Sequence, residues 1–291
     1  MTAALVRSLD VARRLLSHPG AVLAILYLVT ITAAAFLVGY LPIDPLKQDL
    51  VRSLEGPSRD HWFGTDELGR DIMARAIFGA RTSLATAAGA VTVAAAIGVP
   101  MGLVAGFFGG WRDLLLMRVV DFLLALPAIL FAMALIAVLG RSQTAALVAV
   151  GLTGVPSFAR VTRAQVLSLR QREFVIAVEA FGGSSSYSML RTVLPNCLSP
   201  ILVQVVVLSA VAILLEAALS FLGVGIPPPT PSWGEMLRTG KEYLYESPTY
   251  AILPGLVLTV TILSFDTLGR TLANVLEDRL ESGVRVAETL P

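Results

Sequence analysis

The chain has 291 residues, of which 55% are hydrophobic and only 15% charged, with a mean hydropathy of +0.76. Soluble domains carry about a quarter charged residues, so this composition defines a membrane protein. The net charge of +1 argues against a nucleic-acid binder, and no basic tract supports one. Cys197 is the only cysteine, which excludes an intrachain disulfide or a cysteine metal cluster, and His18 and His61 are too few for the usual zinc-hydrolase sites.

About twenty apolar residues cross a bilayer, and charge-free windows mark the spans. The first window covers residues 21–41, behind Arg7, Arg13 and Arg14. Further apolar runs follow it and no small-residue cleavage pattern does, so it reads as a retained transmembrane helix. Next comes HWFGTDELGRDIMARAIFGARTSL, residues 61–84. Asp71 opens an expected amphipathic helix whose apolar side is Ile72, Met73, Ala76, Ile77 and Ala80. Phe63-Gly64-Thr65-Asp66, Gly69-Arg70-Asp71 and Gly79-Ala80-Arg81 closely resemble the signature of the C-type permease subunit of dipeptide and oligopeptide ABC importers. Without that resemblance, the stretch reads as an amphipathic helix that seals the bundle on its outer face.

Residues 82–111 hold the second span. Ala90, Ala94, Gly98, Gly102, Gly106 and Gly110 place a small residue at every fourth position, a ridge that lets another backbone approach closely. It is expected to be a main internal or inter-subunit contact, and Pro100 to kink the helix. Residues 122–140 give the third span, opened by Asp121 beside Arg118, which reads as an interfacial ion pair. Residues 142–159 give the fourth, and Pro127 and Pro156 are candidate bends in these two. Arg160 and Arg163 follow, facing either acids of the next loop or lipid phosphates.

That loop, residues 172–196, is charged and broken by glycine. Phe174, Ala177, Val178 and Phe181 recur at helical spacing and predict a short helix with one apolar stripe. Gly182 and Gly183 end it, Ser184, Ser185 and Ser186 cap a second short helix over 187–193, and Pro195 stops that one. Helices this short are marginal alone in water and need something to dock against. The segment resembles the EAA loop of ABC-importer permeases, the coupling helices that sit in a groove of the ATPase. Ala177, Val178, Gly182, Leu194 and Pro195 carry the match. Ile176 departs from the acidic first position of the general pattern, and Glu173 stands one turn earlier, as in the peptide-importer branch.

The fifth span begins within residues 192–215 and runs through Glu216 to about Gly223. Glu216 is the one acidic residue well inside an apolar stretch. Counted from Pro200 it lies about 24 Å along the helix, near the outer edge of a core about 30 Å thick. Two roles stand open there: snorkelling or pairing at the interface, or lining the translocation path near an outer gate. In the loop 225–250, Pro227, Pro228, Pro229 and Pro231 stiffen the approach, and Trp233 suits a membrane–water boundary. Pro231-Ser232-Trp233-Gly234 followed by Met236-Leu237 again resembles the peptide-permease C-type subunit, which implies an outer-face element near the docking site of a substrate-binding protein. Residues 247–265 form the sixth span. The tail departs from the family, with Gly269-Arg270 and Ala273-Asn274 in place of its usual acidic pairs.

The resemblance implies an all-α polytopic membrane protein with six transmembrane helices and the type I ABC-importer permease fold. Residues 1–20 would be a cytoplasmic segment, 21–266 the permease domain and 267–291 a cytoplasmic tail. Within the domain, 42–81 and 225–250 would lie outside and 168–196 would be the cytoplasmic coupling loop; the Lys and Arg distribution leans the same way. No phosphate-binding loop, H-E-x-x-H or G-x-S-x-G motif is present, so ATP and Mg are expected in partner subunits and no cofactor in this chain. The implied partners are a homologous second permease subunit, two ABC ATPase subunits, an extracytoplasmic substrate-binding protein, the lipid bilayer of the cell membrane and a peptide substrate. Nickel or glutathione is the alternative cargo. An ATP-independent secondary transporter or channel is the competing class, disfavoured because Glu216 alone is an ionisable residue at membrane depth.

Overall fold

The computed structural model describes residues 13–40 and 44–288, with side chains described as far as Leu276. Arg7, Leu41 and the last three residues of the expected tail lie outside the described residues. Helix α1 (Pro19–Leu37) continues as a 3-10 turn, Val38–Tyr40, and α2 spans Ile72–Phe108. Helices α3 (Gly110–Ala125) and α4 (Ala128–Leu139) are followed by α5 (Gln143–Arg170) and the short α6 (Glu173–Ala180). Then come α7 (Leu194–Phe221), α8 (Trp233–Gly240) and α9 (Thr249–Glu288). Among the described residues the only extended pairing is a single antiparallel bridge between Thr65 and Asp71. Among the described residues five helices are long and apolar enough to cross a membrane, or six when the bent pair α3–α4 counts as one span.

The spine of the bundle is α2 against α5, joined along the predicted small-residue ridge. A β-carbon at Gly98 would lie 2.6 Å from Val155 O, and one at Gly102 would press on the Ala159 carbonyl and stand 2.8 Å from Thr162 Cβ. Gly154 faces Ala94 in return. The ridge is thus an internal contact. Gly110 is not part of it: its φ of +59° belongs to the turn that starts α3, and nothing lies near it. Helix α7 packs on both members of the spine, and α1 and α9 close the bundle, Tyr27 donating to Val257 O at 3.0 Å.

The bundle has two ends. Residues 44–71, the start of α2, α8 and the start of α9 gather at one, here called the crown; Thr249 Oγ1 donates to Phe63 O at 2.7 Å there. The end of α5, helix α6 and the start of α7 lie at the other, the base, where the Arg170 guanidinium sits 5.7 Å from the Phe107 ring.

Four expectations about the helices are corrected. The amphipathic stretch from Ile72 and the second span are one continuous helix of 37 residues, because nothing between Ala80 and Thr82 breaks the backbone ladder and Arg75 is neutralised in place. The third span is not one helix: it breaks at Pro127, where a bend was expected, and α3 and α4 meet at 94°. Leu126, before Pro127, takes an extended conformation with ψ 133°, as a residue preceding proline prefers. Twelve residues of α4 rise only about 18 Å, too few to cross a bilayer alone. Pro100 and Pro156, by contrast, sit inside unbroken helices. Asp121 pairs with Arg160 at 2.8 Å and not with Arg118, while Arg163 grips Asp113 through two bonds of 2.6 and 2.7 Å. Both arginines therefore clasp α3 to α5, which neither of their expected roles foresaw.

The close approach of α2 and α5 generates a direct prediction. Gly102→Val is expected to destabilise the chain in detergent by about 1–3 kcal/mol. Ala96→Val, on the open side of α2, should leave the thermal unfolding midpoint near wild type.

Candidate functional site

Two clusters carry the residues singled out by sequence, one at each end. At the base, α6 presents the predicted stripe. Val175 is buried and anchors the helix, whereas Phe174 and Ile176 are exposed and Phe181 is 93% exposed at the tip. Glu173 lies in the first turn, where a carboxylate complements the helix dipole. The helix ends as predicted: Gly182 N–H donates to Glu179 O, Gly183 N–H donates to Val178 O at 2.9 Å, and Gly182 has φ +85°. That pair of bonds is the Schellman arrangement, which glycine permits at no steric cost. Ser184 Oγ then accepts from Tyr187 N–H at 3.2 Å and caps the next helix.

The second short helix is not separate. Ser185–Tyr187 passes into a π-helical turn, Ser188–Val193, and on into α7. Leu194 N–H donates to Met189 O, five residues back. This wider turn admits Pro195, which has no N–H to donate, so Pro195 begins α7 instead of ending the helix before it. Leu194 and Pro195 thus join the loop rigidly to a transmembrane helix.

At the crown, the family-like string folds into a compact loop around a buried ion network. Gly64 (φ +78°) and Gly69 (φ +71°) make turns that lay the chain against the carbonyls of Glu55 and Asp49. Thr65 Oγ1 accepts from Glu55 N–H at 2.9 Å and donates to Arg52 O. Asp71 caps α2 through Ala74 N–H at 2.7 Å and also holds His61 Nδ1 at 2.8 Å. Asp66, fully buried, receives Arg70 Nε at 2.6 Å and lies 3.3 Å from Arg75 Nε. Burial works against the Arg70 charge, but Asp66 and Glu67 outweigh it and raise the guanidinium pKa.

Arg75 and Glu235 are the residues that sequence reasoning missed. Arg75 is buried, and its Nη2 reaches Glu235 Oε2 at 3.1 Å across to α8. The available signal was a charged residue at the edge of an otherwise apolar helical stripe; its partner lies 160 positions away.

Trp233 is turned into the chain and not toward a membrane surface. It is fully buried, with Nε1–H donating to Ala76 O at 3.0 Å, and Gly234 lets α8 settle on α7 with 2.8 Å from its virtual β-carbon to Ser220 Cβ. Glu216 does not snorkel either. It is 1% exposed, its Oε1 accepts from Ser220 Oγ at 2.9 Å, and its Oε2 is buried with no hydrogen-bond partner among the described residues. No side chain brings the base and crown clusters together; only the long helices connect them.

A bundle of long apolar helices with a braced knuckle at one end and a charge-locked loop at the other defines a polytopic α-helical membrane protein. The comparisons carry this to a family. The model for binding-protein-dependent transport system inner membrane components matches residues 98–282, and the chain belongs to that family, the permease subunits of ABC transporters. It is 39% identical over 264 residues to the dipeptide transport system permease protein DppC of Alkalihalophilus pseudofirmus, covering 89% of this chain and 87% of that protein. It is also 39% identical over 272 residues to the glutathione transport system permease protein GsiD of Pectobacterium atrosepticum, covering 93% and 90%. The corresponding GsiD of Escherichia coli O157:H7 is 40% identical over 226 residues, covering 78% and 75%.

The buried network predicts a large effect of a small change. Asp66→Asn removes the carboxylate that two buried guanidiniums share, leaving Arg70 with Glu67 and Arg75 with Glu235, and is expected to cost about 1.5–3 kcal/mol, read as a lowered unfolding midpoint. Asp60→Asn, which touches only the exposed Arg52, should cost less than about 1 kcal/mol.

Proposed function

We propose that this chain is one of two related permease subunits of an ATP-driven importer of short peptides, with its base in the cytoplasm and its crown outside. Both termini are then cytoplasmic. Two ATPase subunits bind below and supply ATP and Mg chemistry, and a substrate-binding protein delivers cargo to the crown side. The observation that carries this reading is the base knuckle. Phe174, Ile176 and Phe181 stand in solvent on a helix of eight residues, closed by Gly182 and welded to α7. Exposed apolar side chains on so small and well-braced an element favour a protein partner. Glu173, Ala177 and Val178 complete the gripping surface, and Leu194 and Pro195 pass its movement into α7.

ATP binding draws the ATPase pair together, and each knuckle follows its own ATPase. The permease pair then exchanges inward for outward access, a choice between two states made by differential affinity. Short peptides are the favoured cargo because the relatives are named for dipeptide and for glutathione transport, and glutathione is itself a tripeptide.

Two measurements test this. Phe181→Ala removes about 1.5–3 kcal/mol of apolar burial and should weaken ATPase co-purification roughly 10- to 100-fold while the chain still reaches the membrane. Unchanged co-purification would overturn the docking role. Mass spectrometry of the ligand carried by the co-purified binding protein should find di- or tripeptides; a metal ion or a sugar there would overturn the cargo.

A further inference from the structure

Two buried points in the crown have no place in the reading so far. The first is Arg75, whose single guanidinium lies between Asp66 of the crown loop and Glu235 of α8, 3.3 and 3.1 Å away. Its side chain is 1% exposed, so neither carboxylate can be released into water without leaving charge buried and unpaired. A lysine cannot replace it, because a point-like ammonium lacks the planar fork that reaches two carboxylates at once.

The second is Glu216, five residues before the end of α7. Ser220 of its own helix donates to its Oε1 at 2.9 Å, Ser83 of α2 and Ser232 at the cap of α8 lie beside it, its Oε2 has no partner among the described residues, and Trp233 N–H donates to Ser83 Oγ at 3.4 Å. Three elements therefore meet at one side chain that neither water nor lipid reaches.

We propose that Arg75 and Glu216 are positioning residues that fuse the crown loop, α8 and the crown end of α7 into one plate, carried as a unit when α7 moves. Helix α7 makes this possible. Its 28 residues form a rod about 42 Å long that begins at the base knuckle and ends at the Glu216 node. Displacement at its base is delivered to the plate through packed, charge-locked elements and not through a flexible loop, the kind of physical connection that coupling between distant sites needs. Helix α4 is outside this assembly. It follows the Pro127 break and shares no buried ion pair with the plate. On this reading Glu216 holds the plate to its carrier and does not line the path.

The inference rests on the proposed function only for the source of motion. Its test uses the assembled importer in liposomes, in a Cys197→Ala background. Spin labels replace Val51 on the crown loop, Tyr245 beyond α8 and Val138 on α4, all strongly exposed. Distances are compared without nucleotide and with ATP trapped. The Val51–Tyr245 distance should stay within about 2 Å and its distribution narrow, while Val51–Val138 shifts. Arg75→Met and Glu216→Leu should broaden the Val51–Tyr245 distribution; Arg75→Lys should restore little of it, and Glu216→Gln, which keeps the hydrogen-bonding shape, most of it. A Val51–Tyr245 distance that changes with nucleotide in the unmutated plate overturns the proposal even if no variant assembles. So does a narrow distribution in Arg75→Met. An unchanged Val51–Val138 distance with a rigid plate contradicts ATP-driven motion and leaves the plate standing.

Discussion

The architecture depends on one contact, the backbone-to-backbone packing of α2 on α5. In lipid no hydrophobic force drives helices together, so association rests on how closely their surfaces fit. Gly98 and Gly102 remove the side chains that would hold the two helices apart, and the carbonyl ridge around Val155 and Ala159 fills the space. Arg163 and Arg160 extend this spine by clasping α3 to it. Helix α7 then has a fixed surface to lie on, and the two ends of the bundle acquire a fixed relation to each other.

Charge is used very differently at the two ends. The crown buries its ions: Asp66, Arg70, Arg75 and Glu235 are all largely withdrawn from solvent and held by one another. Such a network contributes little net stability compared with an apolar core, but it punishes any other arrangement. It therefore specifies where α8 and the crown loop sit. The base does the opposite, leaving aromatic and aliphatic side chains in water on a helix fixed by its caps.

Much of this was legible in the sequence because it is local. The spans, the ridge of small residues, the Gly182 stop and the Ser184 cap follow from spacing and residue type within a few positions. What was not legible depends on distant partners. Arg118 was the nearest cation to Asp121, yet Arg160, on another helix, takes it. Trp233 has the composition of an interface residue, yet Ala76 and the floor of α2 bury it. Proline was equally ambiguous. Pro127 breaks its span, while Pro100, Pro156 and Pro254 lie within continuous helices. Family membership is shown by the comparisons.

The central claim is that the knuckle formed by α6 and Gly182 is held by a nucleotide-hydrolysing subunit on the cytoplasmic side. A photo-reactive amino acid at position 181, irradiated in intact cells, tests it most directly. The account predicts a cross-link to one ATPase subunit, with a yield that changes when ATP is depleted. Cross-links only to lipid, or modification of position 181 by a membrane-impermeant reagent added from outside, would contradict it.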